Sequence, residues 1–473
     1  MHDAKALSHQ PKFSRPDLMV IVACGLSMLI VQMDWFALNL ALPAIARDFG
    51  EPATDLQWVV SGYMLSIGAL MVTAGRLADI FGRRRVIVIG LVIFGVLSVA
   101  CGSAWGPTSL ITARVIHGVG AALIFPVAIA VASSTFTGPR QGRAIGIVLG
   151  CASVGTALGP FVGGTFSEYF NWRGVFFINV PFCLVAILLM LRYVEDSRDE
   201  SADRHIDVAG MLTITGALVG ISLAFDKGES WGWGSVRTVG TLVVAIVLLI
   251  LFVLIESRVR SPLINLSLFR VRAFDSVVLA GSFSNVVFCF VAVFSALYLQ
   301  QARGLSPFKS GLVFLALSAG AGTASYYSGR LAERLPADRL MAMGMLISAA
   351  GIAGLTTVQS LWLYTPLFLV TGLGLGLGWA LANVATQAVV PSSLAGAASG
   401  ITLTSLVMLG AVGVAIAASV LELLSGSPQA AGFDTRALNQ VLRAGAVLAA
   451  VGAAGLLAFA RPREKPVGTE SRL

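Results

Sequence analysis

Charge is scarce in this chain: of 473 residues only 12% are Asp, Glu, Lys or Arg, against roughly 25% for a soluble domain. A soluble fold of this length is excluded on that ground. The five cysteines (Cys24, Cys101, Cys151, Cys183, Cys289) lie scattered in apolar runs with no Cys-x-x-Cys pair. They therefore read as packing residues, with no metal site or disulfide. No Gly-x-x-x-x-Gly-Lys-Ser/Thr loop is present, which argues against an ATP-driven machine. No His, Cys or paired carboxylates stand at metal or general acid–base spacing, and the longest polar connectors, near 195–206 and 257–274, are too short for a catalytic domain. An enzyme is not expected, nor a cofactor.

What fills the chain instead is hydrocarbon, at 56% of residues. Apolar runs of about 20 residues, each able to cross a ~30 Å bilayer core, recur along nearly the whole length. Val86–Ala100 and Leu242–Ile255 lack even the polar stripe of a soluble core helix. The runs predict fourteen spans, near 18–46, 57–77, 86–104, 108–135, 143–165, 174–194, 207–226, 238–256, 275–299, 307–330, 339–358, 362–388, 394–422 and 438–460. The first is too long for a signal-peptide core and reads as a retained span. With the N-terminus in the cytoplasm, inside segments and adjoining helix ends hold 23 Lys and Arg and outside ones hold 8. The positive-inside rule then puts both termini, 1–17 and 461–473, in the cytoplasm. The net charge of +8 is accounted for by topology and anionic lipid, so no nucleic-acid partner is expected.

An internal repeat runs at an offset of 254 residues. Gly75-Arg76-Leu77-Ala78-Asp79 matches Gly329-Arg330-Leu331-Ala332-Glu333; Gly118 and Gly120 match Gly372 and Gly374; Gly142, Ala144, Gly146 and Ile147 match Gly396, Ala398, Gly400 and Ile401. Chance among 51 glycines is the bland alternative, but the matched Arg and acid argue against it. Two pseudo-symmetric six-helix bundles, 18–194 and 275–460, follow. Two extra helices sit in the linker 195–274, and the repeat predicts a cleft between the bundles. The fold class is all-α membrane.

Ionisable groups inside a span cost roughly 2.5–3.5 kcal/mol at the centre, so they mark function first. Asp34 lies sixteen residues into span 1, about 24 Å from its start. Burial favours a carboxylate's neutral form and a neighbouring cation its charged form, so a group poised between them can carry a proton. Arg114 in span 4 lies at similar depth, and His117 follows at i+3 on nearly the same face. Proton coupling is expected from Asp34, Arg114 and His117; the alternative is a static ion pair. Trp35, Phe36, Asn39, Asn285, Asn383 and Gln387 are candidates for the substrate cavity, against simple interhelical bonding. Gly75, Asp79, Gly82, Arg83, Arg84 and Glu333 form a candidate cytoplasmic latch. Gly155, Gly159, Pro160, Gly163 and Gly164 form a candidate gating helix, where small residues permit close approach and proline a bend.

Together these segments resemble the major facilitator superfamily, and within it the fourteen-helix drug:H+ antiporter family. Gly75–Val86 looks like the loop motif Gly-x-Leu-Ala-Asp-Arg-x-Gly-Arg-Arg/Lys, with Ile80 where a basic residue is common. Leu110–Ala122 is similar to the span-4 motif, with His117 in place of Gln, and Gly155–Gly164 to the antiporter motif. Trp172–Pro181 resembles a further family signature. Asp34–Ile45 resembles the span-1 motif, from which Trp35, Phe36, Ala37 and Leu38 depart. The resemblance implies rocker-switch export of lipophilic, often cationic, drugs in exchange for protons. The implied setting is a bacterial inner membrane, the implied partners a small molecule and protons, and a monomer is expected. A dedicated metabolite or lipid exporter on the same scaffold, or an uncoupled facilitator, are the alternatives.

Overall fold

The computed structural model describes residues 13–459 apart from 52–55, 57, 138, 198–206, 260–261, 263–267, 270, 359, 391–394 and 426–434. Among the described residues there is no strand. The helices are α1 (Arg15–Phe49), α2 (Trp58–Phe81), α3 (Arg83–Gly102), α4 (Pro107–Thr135), α5 (Pro139–Tyr169), α6 (Gly174–Phe177), α7 (Asn179–Tyr193), α8 (Val208–Trp231), α9 (Val236–Glu256), α10 (Arg272–Leu297), α11 (Pro307–Arg334), α12 (Ala337–Leu355), α13 (Leu361–Val389), α14 (Ala395–Ser425) and α15 (Thr435–Phe459). A π-helical turn, Tyr298–Ala302, extends α10.

Local chemistry sets the boundaries. Ser14 and Asp17 close a reciprocal cap at the start of α1, and Gly50 ends it in the left-handed conformation at φ +70°. Ser306 caps α11, whose first residue is Pro307.

Twelve spans among the described residues are long and apolar enough to cross a membrane, with α6 and α7 making one of them. The protein is a multi-pass membrane protein. The helix α11 has the length, at 28 residues, but does not meet the same apolar standard, and α14 is apolar over Gly400–Val414. Packing explains α11. It presses on α5 and α13, and Gly311 and Gly320 lie against the backbones of Pro160 and Leu369. An enclosed helix can trade apolar bulk for small residues.

The repeat is visible in the helix boundaries. Shifted by 254 residues, α4 falls end to end on α13, and α3 reaches within a residue of α12. Contacts repeat as well: α1 packs on α5 as α10 does on α14, α2 on α4 as α11 on α13, and α3 on α4 as α12 on α13. The two sets meet where α5 touches α11 and where α2 touches α14. The hairpin α8–α9 packs on itself and reaches the rest mainly through α2 and α14.

Candidate functional site

Asp34 and Arg114 meet inside the first set of helices. Both are fully buried. Arg114 Nη1 donates to Asp34 Oδ2 at 2.6 Å, and the Asn179 amide donates to Asp34 Oδ1 at 3.0 Å. The guanidinium also donates from Nε to the Val59 carbonyl at 3.0 Å and lies 3.8 Å from the centre of the Tyr63 ring. Each charge therefore has a partner and further hydrogen bonds, which is what makes its burial tolerable.

His117 completes the cluster. Its Nδ1 is 2.9 Å from Arg114 Nη1 and its Nε2 is 3.0 Å from Ser98 Oγ. A guanidinium has no lone pair to offer, so Nδ1 must accept and the ring proton sits on Nε2. In this arrangement the imidazole cannot take a second proton unless Arg114 moves off it.

A cavity of about 670 Å³, open solvent at its mouth included, lies between the two helix sets. Its lining comes from α1, α4 and α5 on one side and α10, α11, α13 and α14 on the other. Of the cavity candidates, Trp35, Phe36 and Asn285 line it. Asn39 is half-buried on α1, and Asn383 donates to the Trp379 carbonyl of its own helix at 3.0 Å; neither is among the lining residues. The Gln387 side chain lies outside the described residues. Asp34 does not line the cavity either. Residues 32, 35 and 36 of α1 face it, and at 100° per residue the carboxylate projects towards α4 and α7 instead.

The glycines of α5 act as expected of small residues. A Cβ on Gly155 would meet Leu29 backbone atoms at 3.0 Å, and one on Gly159 would meet the Met33 carbonyl at 2.8 Å. One on Gly163 would meet the Ala37 carbonyl carbon at 2.8 Å. Further along, Gly164 presses on Pro307, and Gly311 on the Pro160 carbonyl, while Glu168 accepts from the Phe308 amide at 2.9 Å. These contacts close the cavity at the end away from the N-terminus. Towards the N-terminal face, Gly146 on α5 and Gly329 on α11 have open space beside them.

The loop after α2 holds its own side. Asp79 accepts from Arg83 at 2.9 Å, Arg84 donates to the Val194 carbonyl at 3.1 Å, and Arg85 pairs with Asp196 at 2.9 Å. Gly82, at φ +105°, leaves room for the Asp196 carboxylate where a Cβ would stand. Gly75 has open space beside it. The side chain of Glu333 lies outside the described residues.

The residue pattern alone gives Asn179 no role, although it lies within the Trp172–Pro181 signature. The short α6 ends at Phe177, and the restart at Asn179 sits where the amide reaches both Asp34 and Ser98. Replacing Asn179 by Leu is expected to remove about 1.5–3 kcal/mol of charge-assisted hydrogen bonding from Asp34. The check is the unfolding free energy of the purified protein, which should fall by about that amount, while Asn179→Gln should recover part of the loss.

Two helix sets around a central cavity, with a charge pair buried in one of them, define a membrane transporter. The chain belongs to the Major Facilitator Superfamily, whose family model matches residues 24–414. It is similar to the tetracenomycin C resistance and export protein of Streptomyces glaucescens, 33% identical over 84% of this chain and 74% of that one. Similarity also extends to the multidrug resistance protein Stp of Mycobacterium tuberculosis, 35% identical over 86% and 76%. The puromycin resistance protein of Streptomyces alboniger is 35% identical over 84% and 80%. Among solved structures, a peptide transporter in complex with sulfate superposes with a TM-score of 0.67 at 15% identity, over 97% of this chain and 98% of that one; the likeness is one of fold.

Proposed function

We propose that this transporter exports lipophilic or cationic drugs from a bacterial cell in exchange for protons. Fourteen spans with both termini cytoplasmic carry two six-helix halves, 18–194 and 275–460, which rock about the cavity as a monomer in the inner membrane. Segment 195–274 is an inserted linker with two spans. The observation that carries the reading is the Asp34–Arg114 pair at 2.6 Å, one residue from cavity-lining Trp35 on the same helix. Rotation or bending of α1 during rocking would alter that pair and the cavity wall together. With the N-terminus inside, the contacts of α5 with α11 close the outer side and the cavity opens inward. Asp79, Arg83 and Arg84 would then shape the inner rim of the first half, with Glu333 their counterpart across it. The names of the relatives support drug export.

The test is proton flux in proteoliposomes over a panel of drugs. Addition of a transported drug should drive proton movement in the opposite direction; drug transport with no proton movement at any pH would leave a facilitator. Phe36→Ala bears on the cavity. Phe36 stacks on Trp35 at 5.8 Å and meets Phe288 of α10 edge-on at 5.7 Å. Truncation is expected to weaken the apparent affinity for an aromatic drug about ten- to a hundredfold, at about 1.5–3 kcal/mol for a buried aromatic, with proton coupling retained.

A specific observation favours a second reading, a dedicated exporter of one metabolite. Some relatives are named for single compounds, and the paired rings of Trp35 and Phe36 narrow this cavity.

A further inference from the structure

The two helix sets meet along a ladder of contacts that continues the cavity wall. On α5 that wall is Ser153 and Thr156. From Thr156, steps of four residues give Pro160, Gly164 and Glu168, about one per turn along one side of the helix. Each of the three meets α11. The Pro160 carbonyl oxygen lies 2.9 Å from where a Cβ on Gly311 would stand, and the Pro307 carbonyl carbon 2.7 Å from one on Gly164. Glu168 Oε2 accepts from the Phe308 amide at 2.9 Å. The Phe308 ring lies 5.6 Å from that of Phe161 and meets Tyr169 edge-on at 5.4 Å.

The last rung differs in kind from the two below it. Glycine against backbone is a short-ranged contact without direction. Glu168 is exposed and makes a directed, charge-assisted bond. The start of α11 shows why a carboxylate is wanted there. A helix leaves its first-turn amides without partners of its own. Pro307 has no N–H, Ser306 Oγ accepts from the Lys309 amide at 3.4 Å, and the Ser306 carbonyl accepts from the Ser310 amide at 2.9 Å. The Phe308 amide is the one in that turn that the segment does not cap itself. Its cap comes from the other helix set, and the positive end of the helix favours a charged acceptor over a neutral one.

We propose that Glu168 is the clasp of the closed face: by capping α11 across the seam, its carboxylate sets the ratio of closed to open forms on the side away from the N-terminus. Opening that face parts α5 from α11 and leaves both the carboxylate and the Phe308 amide to water. The glycine rungs let the helices come close, and the charge at residue 168 sets how long they stay so. The inference rests on the rocking motion of the export reading and is independent of proton coupling and of the substrate.

Spin-label distance measurements on the full-length protein in nanodiscs, with no gradient and no drug, test it. The labels sit on Trp105→Cys and Trp362→Cys, exposed positions at the same membrane face as Glu168, one in each helix set. Cys151→Ser removes the one native thiol that is not buried. Native protein should populate mainly the shorter distance. Glu168→Gln keeps a hydrogen bond without the charge and should raise the ratio of long to short about fivefold. Glu168→Ala keeps neither and should raise it by more than about tenfold. Glu51→Gln removes an exposed charge from the same face and should leave the ratio as it is. Native ratios in both Glu168 variants, or an equal shift in Glu51→Gln, overturn the proposal. Gly164→Val wedges the middle rung and reports on rocking itself. If it gives the longer distance while residue 168 has no effect, the clasp falls and rocking stands; if no variant gives a second distance, both fall.

Discussion

Asp34→Asn transporter in proteoliposomes will let its drug equilibrate but will not accumulate it. A proton moving down about 100 mV supplies about 2.3 kcal/mol, and each pH unit adds about 1.4 kcal/mol. At tenfold per 1.4 kcal/mol, native protein can sustain a drug gradient of some tens- to several hundredfold. The amide keeps an oxygen for Arg114 and a shape that fits between α4 and α7, but it cannot take up or release a proton. The accumulation ratio should therefore fall to about one. Removing one member of a buried pair also costs about 3–5 kcal/mol of stability, so the folded yield of the variant must be measured alongside. Asp34→Glu separates the two effects: it restores a titrating group in the same helix turn and should recover partial accumulation. Native-level accumulation by folded Asp34→Asn protein would end the proton-coupling argument.

Two adjacent glycines of α5 are expected to fail in different ways. A Cβ on Gly163 would strike the Ala37 backbone, with its Cα at 2.9 Å. Backbone cannot rotate aside as a side chain can, and α1 and α5 lie in the same helix set. Gly163→Val should therefore lose most of the folded protein, beyond the 1–3 kcal/mol typical of overpacking. Gly164 instead faces Pro307 of α11, whose carbonyl carbon would stand 2.7 Å from an added Cβ. Gly164→Val should fold, because only the meeting of the two sets is obstructed, yet transport should drop more than tenfold. Gel filtration and drug uptake distinguish the cases. Gly146→Ala, which meets nothing within 4 Å, is the control and should behave as native protein. Equal yields for Gly163→Val and Gly146→Ala would show that α1 and α5 tolerate separation.

Much of this was legible without coordinates. The apolar runs anticipated the helices closely: the expected span 108–135 is α4, Pro107–Thr135. The cost of burying charge pointed to Asp34 and Arg114, and the structure brings them to 2.6 Å. What sequence could not supply was rotation about the helix axis. The residue types picked out Trp35 and Phe36 for the cavity, but in a bundle surrounded by lipid every face of α1 is apolar, so nothing marked residue 32 as sharing their face or 34 as lying on the opposite one. The same blindness hid Asn179, whose role depends on which neighbours a neutral amide meets. For Asp79 and Arg83 the residue types suggested an ion pair, and only geometry shows that it joins one end of α2 to the start of α3.

The 254-residue offset that superposes the helices does not superpose their charges. It carries Asp34 to Phe288, Arg114 to Phe368 and His117 to Thr371. The buried charge pair thus belongs to one lobe and has no counterpart at the matching positions of the other. A chimera joining two copies of the first lobe would hold two buried Asp–Arg pairs, one in each half, and one joining two copies of the second would hold none.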